Sequence, residues 1–221
     1  MSTPVLILLK KEFQIEFRNG TALAGLTLYL VSTVFICYLV FWINSNQLNP
    51  LTWSALYWII LMFTLISTAA KSFIGERKGI FIYYYSIASP QAIILSKILY
   101  NTFLAIVLSM LGLGLFGLFL GNPVEDIGVF MLIVLLASFG FAASLSLLSA
   151  IASKADQSSV LMAILSFPVI ISILFIAIRA TKNCIDGLGF GASQEEVITL
   201  SAINCLIAAV SYLLFPYIWR S

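Results

Sequence analysis

The chain alternates long apolar runs with short polar interruptions, and the runs have membrane-spanning length. A helix rising 1.5 Å per residue needs about 20 mostly apolar residues to cross a bilayer core of roughly 30 Å. Six runs meet that requirement: residues 22–43, 53–70, 90–120, 127–152, 158–178 and 196–217. The polar stretch NSNQLNPLT closes the first, with Trp42 and Trp53 on either side of it, where an interfacial aromatic belt would place them. The second run ends at Lys71. The third opens at Ser89 and Pro90, a serine N-cap followed by proline in the first turn, and is long enough that its first two turns, with Lys97, are expected to lie in the interface or cytoplasm. A turn at Gly121-Asn122-Pro123 leads into the fourth. The fifth carries Pro168 in mid-span, where a kink is expected. The sixth opens at Ser193, whose hydroxyl with Glu196 three residues later matches a capping box.

The expected fold class is therefore an all-α membrane protein of six transmembrane helices forming one domain over residues 1–221. Composition agrees: 62% of residues are hydrophobic and 9% charged, against roughly 25% charged in soluble proteins. Lys10, Lys11, Arg18, Lys71, Arg77, Lys78, Lys97, Lys154 and Arg220 fall on one side of the six runs, and only Arg179 and Lys182 on the other. The positive-inside rule then puts both termini in the cytoplasm and stretches 44–52, 121–126 and 181–195 outside. A net charge of +2, dispersed along the chain, makes no nucleic-acid surface. Residues 1–11 run apolar then basic, the reverse of a signal peptide, so the first span is expected to be retained.

Chemistry is sparse. Cys37, Cys184 and Cys205 lack C-x-x-C spacing, and histidine, the commonest metal and haem ligand, is absent. No ionisable residue sits near the middle of any run, which argues against proton- or ion-coupled transport. Neither G-x-x-x-x-G-K-[ST] nor G-x-G-x-x-G occurs, and the serines in the spans have no base to activate them. No catalytic activity or bound cofactor is expected. If the chain does work, the energy comes from another subunit.

Two segments could receive that work. Residues 4–19 set Leu6, Leu9, Phe13 and Phe17 among Lys10, Lys11, Glu12, Glu16 and Arg18, the pattern of an interfacial amphipathic helix; it is either an anchor for the first span or an elbow that passes on force. Between spans two and three, residues 74–89 carry Glu76, Arg77 and Lys78 between two glycines, then IFIYYYSIA and Ser89-Pro90. This reads as a short cytoplasmic helix with a docking surface, or as an ordinary basic inner loop. Small residues crowd spans three (Gly112, Gly114, Gly117, Gly121) and four (Ala137, Gly140, Ala143, Ser144, Ser146, Ser149), with packing inside the chain preferred over a dimer seam.

The opening LLKKEFQIEFRNG, the loop GERKGIFIYYYSIASPQAIILSKILYN and the ending LFPYIWRS together resemble CcmB, the haem exporter protein B family, over the whole chain. Glu76, Gly79 and Pro90 also match the broader superfamily of exporter permeases. The resemblance implies a non-catalytic permease-like subunit of the bacterial inner membrane, in two copies per complex. It would pair with a CcmA-like ATPase that binds ATP, a CcmC-like haem-handling subunit and a small CcmD-like subunit, and ATP hydrolysis would serve release of a haem-loaded chaperone in cytochrome c maturation. The ATPase would dock on Glu76, Arg77, Lys78, Gly79, Ser89 and Pro90, with secondary contacts at Lys10, Lys11, Glu12, Arg18, Lys154 and Asp156. Haem would be handled by the partners. The alternative is an exporter permease for a lipid-linked or small apolar substrate.

Overall fold

The computed structural model describes residues 2–19, 21–43, 48–74, 88–154 and 158–220. Among these the chain is all helical. The elements are α1 (Ser2–Asn19), α2 (Thr21–Ile43), α3 (Pro50–Ile74), α4 (Pro90–Phe119), α5 (Ile127–Ala152), α6 (Ser158–Ile185) and α7 (Gly189–Arg220). All but α1 contain a stretch long and apolar enough to cross a bilayer, six in all, as expected in number and order.

The bundle is built around α5, which packs against α3, α4, α6 and α7. Ala137, Gly140, Ala143, Ser144, Ser146 and Ser149 are all buried. Apolar side chains alone give little drive for association in lipid, so close backbone approach and polar bonds hold such seams. Here Asn101 donates to the Ser146 hydroxyl at 2.7 Å, the Ser109 and Ser138 hydroxyls meet at 3.1 Å, and Asn204 donates to the Leu136 carbonyl at 2.9 Å. Gly140 makes room for the last contact, because a Cβ there would lie 2.6 Å from the Asn204 Oδ1. The small residues of the fourth span therefore serve packing within the chain. Those of the third divide: Gly112 packs on Leu61, Leu30 and Tyr57, whereas nothing lies within 4 Å of a Cβ placed on Gly114, Gly117 or Gly121.

Three expectations are corrected. Trp42 is 69% exposed, but Trp53 is only 1% exposed. Instead of lining a lipid belt, Trp53 donates from Nε1 to the Gly121 carbonyl at 2.8 Å and stacks on Tyr57 at 5.6 Å. The fifth helix does not stop at residue 178, since α6 runs to Ile185 and carries Arg179 and Lys182 on helix rather than in a loop. Nor does Ser193 cap the last helix: α7 begins at Gly189, a full turn earlier, and Ser193 is buried within it. Apolar runs end where charges begin, but a helix continues as long as its backbone bonds are made. By contrast the Ser89 cap is present, its side chain accepting from the Ala92 amide with Pro90 in the first turn. α6 is one helix through Pro168.

Candidate functional site

Charge is divided between the two ends of the bundle. At one end, the basic end, lie α1, Ser89, the first turns of α4 and the α5–α6 junction. At the other, the acidic end, lie the turns before α5 and α7.

At the basic end α1 is fastened to α4. Lys97, two turns into α4, has a side chain only 2% exposed, and its Nζ lies 3.5 Å from Oε1 of Glu12, which is 15% exposed. Lys11 reaches the same oxygen at 3.1 Å. One residue along α1, the Phe13 ring makes edge contacts with Tyr100 at 5.3 Å and Phe103 at 5.0 Å. Lysine is almost never enclosed unless paired, so its burial ties α1 to a defined position on α4. Lys10 and Arg18 are exposed, and Lys11, Gln14, Ile15 and Arg18 line an open cavity of about 630 Å³. Lys154 donates to the Trp219 carbonyl at 3.5 Å, a cation at the C-terminal end of α7.

The docking residues expected from sequence are thus distributed unevenly. Ser89 and Pro90 form the start of α4, immediately upstream of the Lys97 clasp. Lys10, Lys11 and Arg18 lie along α1, whereas the Glu12 carboxylate turns onto Lys97. Glu76, Arg77, Lys78, Gly79 and Asp156 lie outside the described residues. Lys97 itself was not anticipated as a site residue. A cation inside an apolar run was the available signal, but the Glu12 it meets is 85 positions away.

The acidic end is cross-linked by backbone. The Cys184 carbonyl at the end of α6 accepts from the Glu125 and Asp126 amides at 3.2 and 3.1 Å. Asp126 then accepts from the Gly189 amide at 2.8 Å and so caps the start of α7 from another part of the chain. Gly187 and Gly189 have φ of +62° and +72°, and a Cβ on Gly187 would meet the Glu125 carboxylate, so this crossing requires glycine. Between α6 and α7, Arg179 Nε pairs with Glu196 Oε1 at 3.0 Å. The cysteines are free thiols, and among the described residues no group of three His, Cys, Asp or Glu side chains could hold a metal ion.

Six apolar helices, one of them a small-residue helix buried among its neighbours, with the charges of the described residues gathered toward the two ends, define a multi-pass α-helical membrane protein. The CcmB protein family model matches residues 3–217, and the chain belongs to that family, a membrane component of the ABC-type haem export system of cytochrome c maturation. Membership places it in a complex with other subunits. No curated protein matches the chain.

Proposed function

We propose that this chain is the non-catalytic transmission subunit of its complex, receiving motion at its basic end from a separate CcmA-like ATPase and passing it through the bundle to release a haem-loaded chaperone on the opposite side. CcmC-like and CcmD-like subunits complete the assembly, with two copies of this chain. The positive-inside rule puts the basic end, with both termini, in the cytoplasm of a bacterial inner membrane. Haem stays with the partners, since the chain has no histidine to offer as an axial ligand.

The observation that carries this reading is the clasp of α1 on α4. Ser89 and Pro90, which open α4, follow directly on the segment assigned to docking, and Lys97, two turns later, is held by Glu12. A push on residues 74–89 is therefore delivered to α4 and α1 together, rather than to one loosely attached helix. Through the α4–α5 hydrogen bonds it reaches the central helix, in a displacement of the hinge and shear kind. Glu76, Arg77 and Lys78 set the docking register by charge, with Lys10, Lys11, Arg18, Lys154 and Asp156 as outer contacts.

Reversing two charges, Glu76→Lys with Arg77→Glu, tests the reading. Membrane insertion is expected to be unchanged, while co-purification of the ATPase and assembly of cytochrome c are lost. Assembly at the normal level in the double variant would refute the docking assignment.

A further inference from the structure

We infer that the α6–α7 mouth at the acidic end binds the headgroup of a phosphoethanolamine-type phospholipid. A cavity of about 140 Å³ opens there, lined by Phe175, Ile176, Arg179, Glu195, Glu196 and Thr199. Phe175 and Arg179 lie four residues apart on one face of α6, and Glu195 and Thr199 four apart on one face of α7, so apolar and polar groups are stacked along the bundle axis. Phe175 is 66% exposed and Ile198 58%, which gives acyl chains an apolar surface below the charged groups.

The charges are arranged for a zwitterion. Arg179 is 62% exposed and pairs with Glu196 through Nε alone, which leaves its two terminal nitrogens for a phosphate, the planar match a guanidinium makes best. An arginine that merely marked the membrane interface would need no partner. Here the partner carboxylate is itself 7% exposed, an expensive placement for a charge, and its Oε2 has no hydrogen-bond partner among the described residues. An ammonium in the cavity beside Glu195 and Glu196 balances the second carboxylate, which the single guanidinium leaves uncompensated.

The same count sets the specificity. Two carboxylates beside one guanidinium disfavour a headgroup that is only anionic, such as phosphatidylglycerol, and free phosphate likewise. A quaternary ammonium, as in phosphatidylcholine, has no N–H to donate to the carboxylates that line the cavity. From the proposed function the inference takes only the leaflet, which is the outer one if the basic end is cytoplasmic. Its test reads lipid binding and is independent of any ATPase.

The test uses the full-length chain, purified in mild detergent, delipidated and examined by native mass spectrometry with dioleoyl-phosphatidylethanolamine, -phosphatidylglycerol and -phosphatidylcholine at equal concentrations. The ethanolamine lipid is expected to bind about tenfold better than either of the others. Arg179→Gln combined with Glu196→Gln keeps the pair neutral and is expected to abolish the preference, with the melting temperature read alongside to show that the bundle is intact. Glu195→Gln is expected to reduce discrimination against phosphatidylcholine. Equal binding of the three lipids, an unchanged preference in the intact double variant, or displacement of the lipid by inorganic phosphate would each overturn the assignment.

Discussion

The two ends of the bundle each join a pair of helices by an ion pair, but they bury opposite charges. At the basic end the cation is enclosed: Lys97 is 2% exposed and Glu12 15%. At the acidic end the anion is enclosed: Glu196 is 7% exposed and Arg179 62%. An ion pair costs most to break from the side that strands the buried member. Glu12 and Arg179, which face the enclosed members, are therefore the positions to change, although one is an acid on a surface helix and the other a base at the end of a span. The difference also separates two tasks. The enclosed lysine is a fastening between helices, whereas the exposed arginine keeps donors available to something outside the chain.

Charge reversal gives the largest effect. Glu12→Lys sets a second cation against a buried one and is expected to cost about 3–5 kcal/mol, the range for breaking a buried pair. Thermal unfolding in detergent measures it, and limited proteolysis of α1 shows whether that helix has come away from α4. The exchange of Glu12→Lys with Lys97→Glu is expected to restore part of the loss. If single and double variants melt alike, the pair does not fasten these helices.

At the opposite end Arg179→Met strands Glu196 in a site that water can partly reach, with an expected loss of about 1–3 kcal/mol. Adding Glu196→Gln to that variant is expected to recover most of it, because the buried group is then neutral. Glu196→Gln alone, which leaves an exposed arginine, is expected to cost under about 1 kcal/mol. Reversal of that order, with Glu196→Gln the worse single change, would remove the contrast between the two ends.

How much of this could be read from the chain depends on the range of the interaction. The spans were legible because their signal is local: 20 apolar residues in a row, or a Ser89-Pro90 start, reflect physics contained within a few turns. The ends of α6 and α7 were not. Arg179, Lys182 and Asp186 look like loop residues after an apolar run, yet the first two sit on α6, where interfacial water tolerates charge on a helix. Ser193 and Glu196 matched a capping box by spacing, but the cap of α7 comes from Asp126, 63 positions from the Gly189 amide it accepts. Trp53 carried the composition of a belt residue and is instead core, because Gly121 offers its indole a carbonyl. The candidate site was half legible. The sequence indicated which segments carry polar groups at the basic end, but not that Glu12 faces Lys97.

The aromatic contacts beside that pair allow a finer division of labour. Phe13 lies against Tyr100 and Phe103, edge-on at 5.3 and 5.0 Å, so α1 is held by rings as well as by charge. Phe13→Ala removes both contacts and is expected to cost about 1–2 kcal/mol, below the full core range because the ring is only half-buried. Its unfolding should depend on salt no more than that of the wild type.

Salt supplies the smallest effect and the cleanest separation of the two ends. Raising ionic strength from 0.15 to 1 M shortens the screening length from about 8 to about 3 Å, which weakens charges that face solvent and scarcely reaches those that do not. The Arg179–Glu196 contact is the more open of the two, with Arg179 62% exposed against 15% for Glu12 and 2% for Lys97. Stability lost by Arg179→Met is therefore expected to shrink by a few tenths of a kcal/mol in high salt, while that lost by Glu12→Lys holds nearly constant. The comparison uses two variants of one chain in one detergent, so the general effect of salt on micelle and bundle cancels. A salt-sensitive Glu12→Lys loss would mean that water already reaches Lys97, and α1 would then be a helix resting on the bundle rather than one fastened into it.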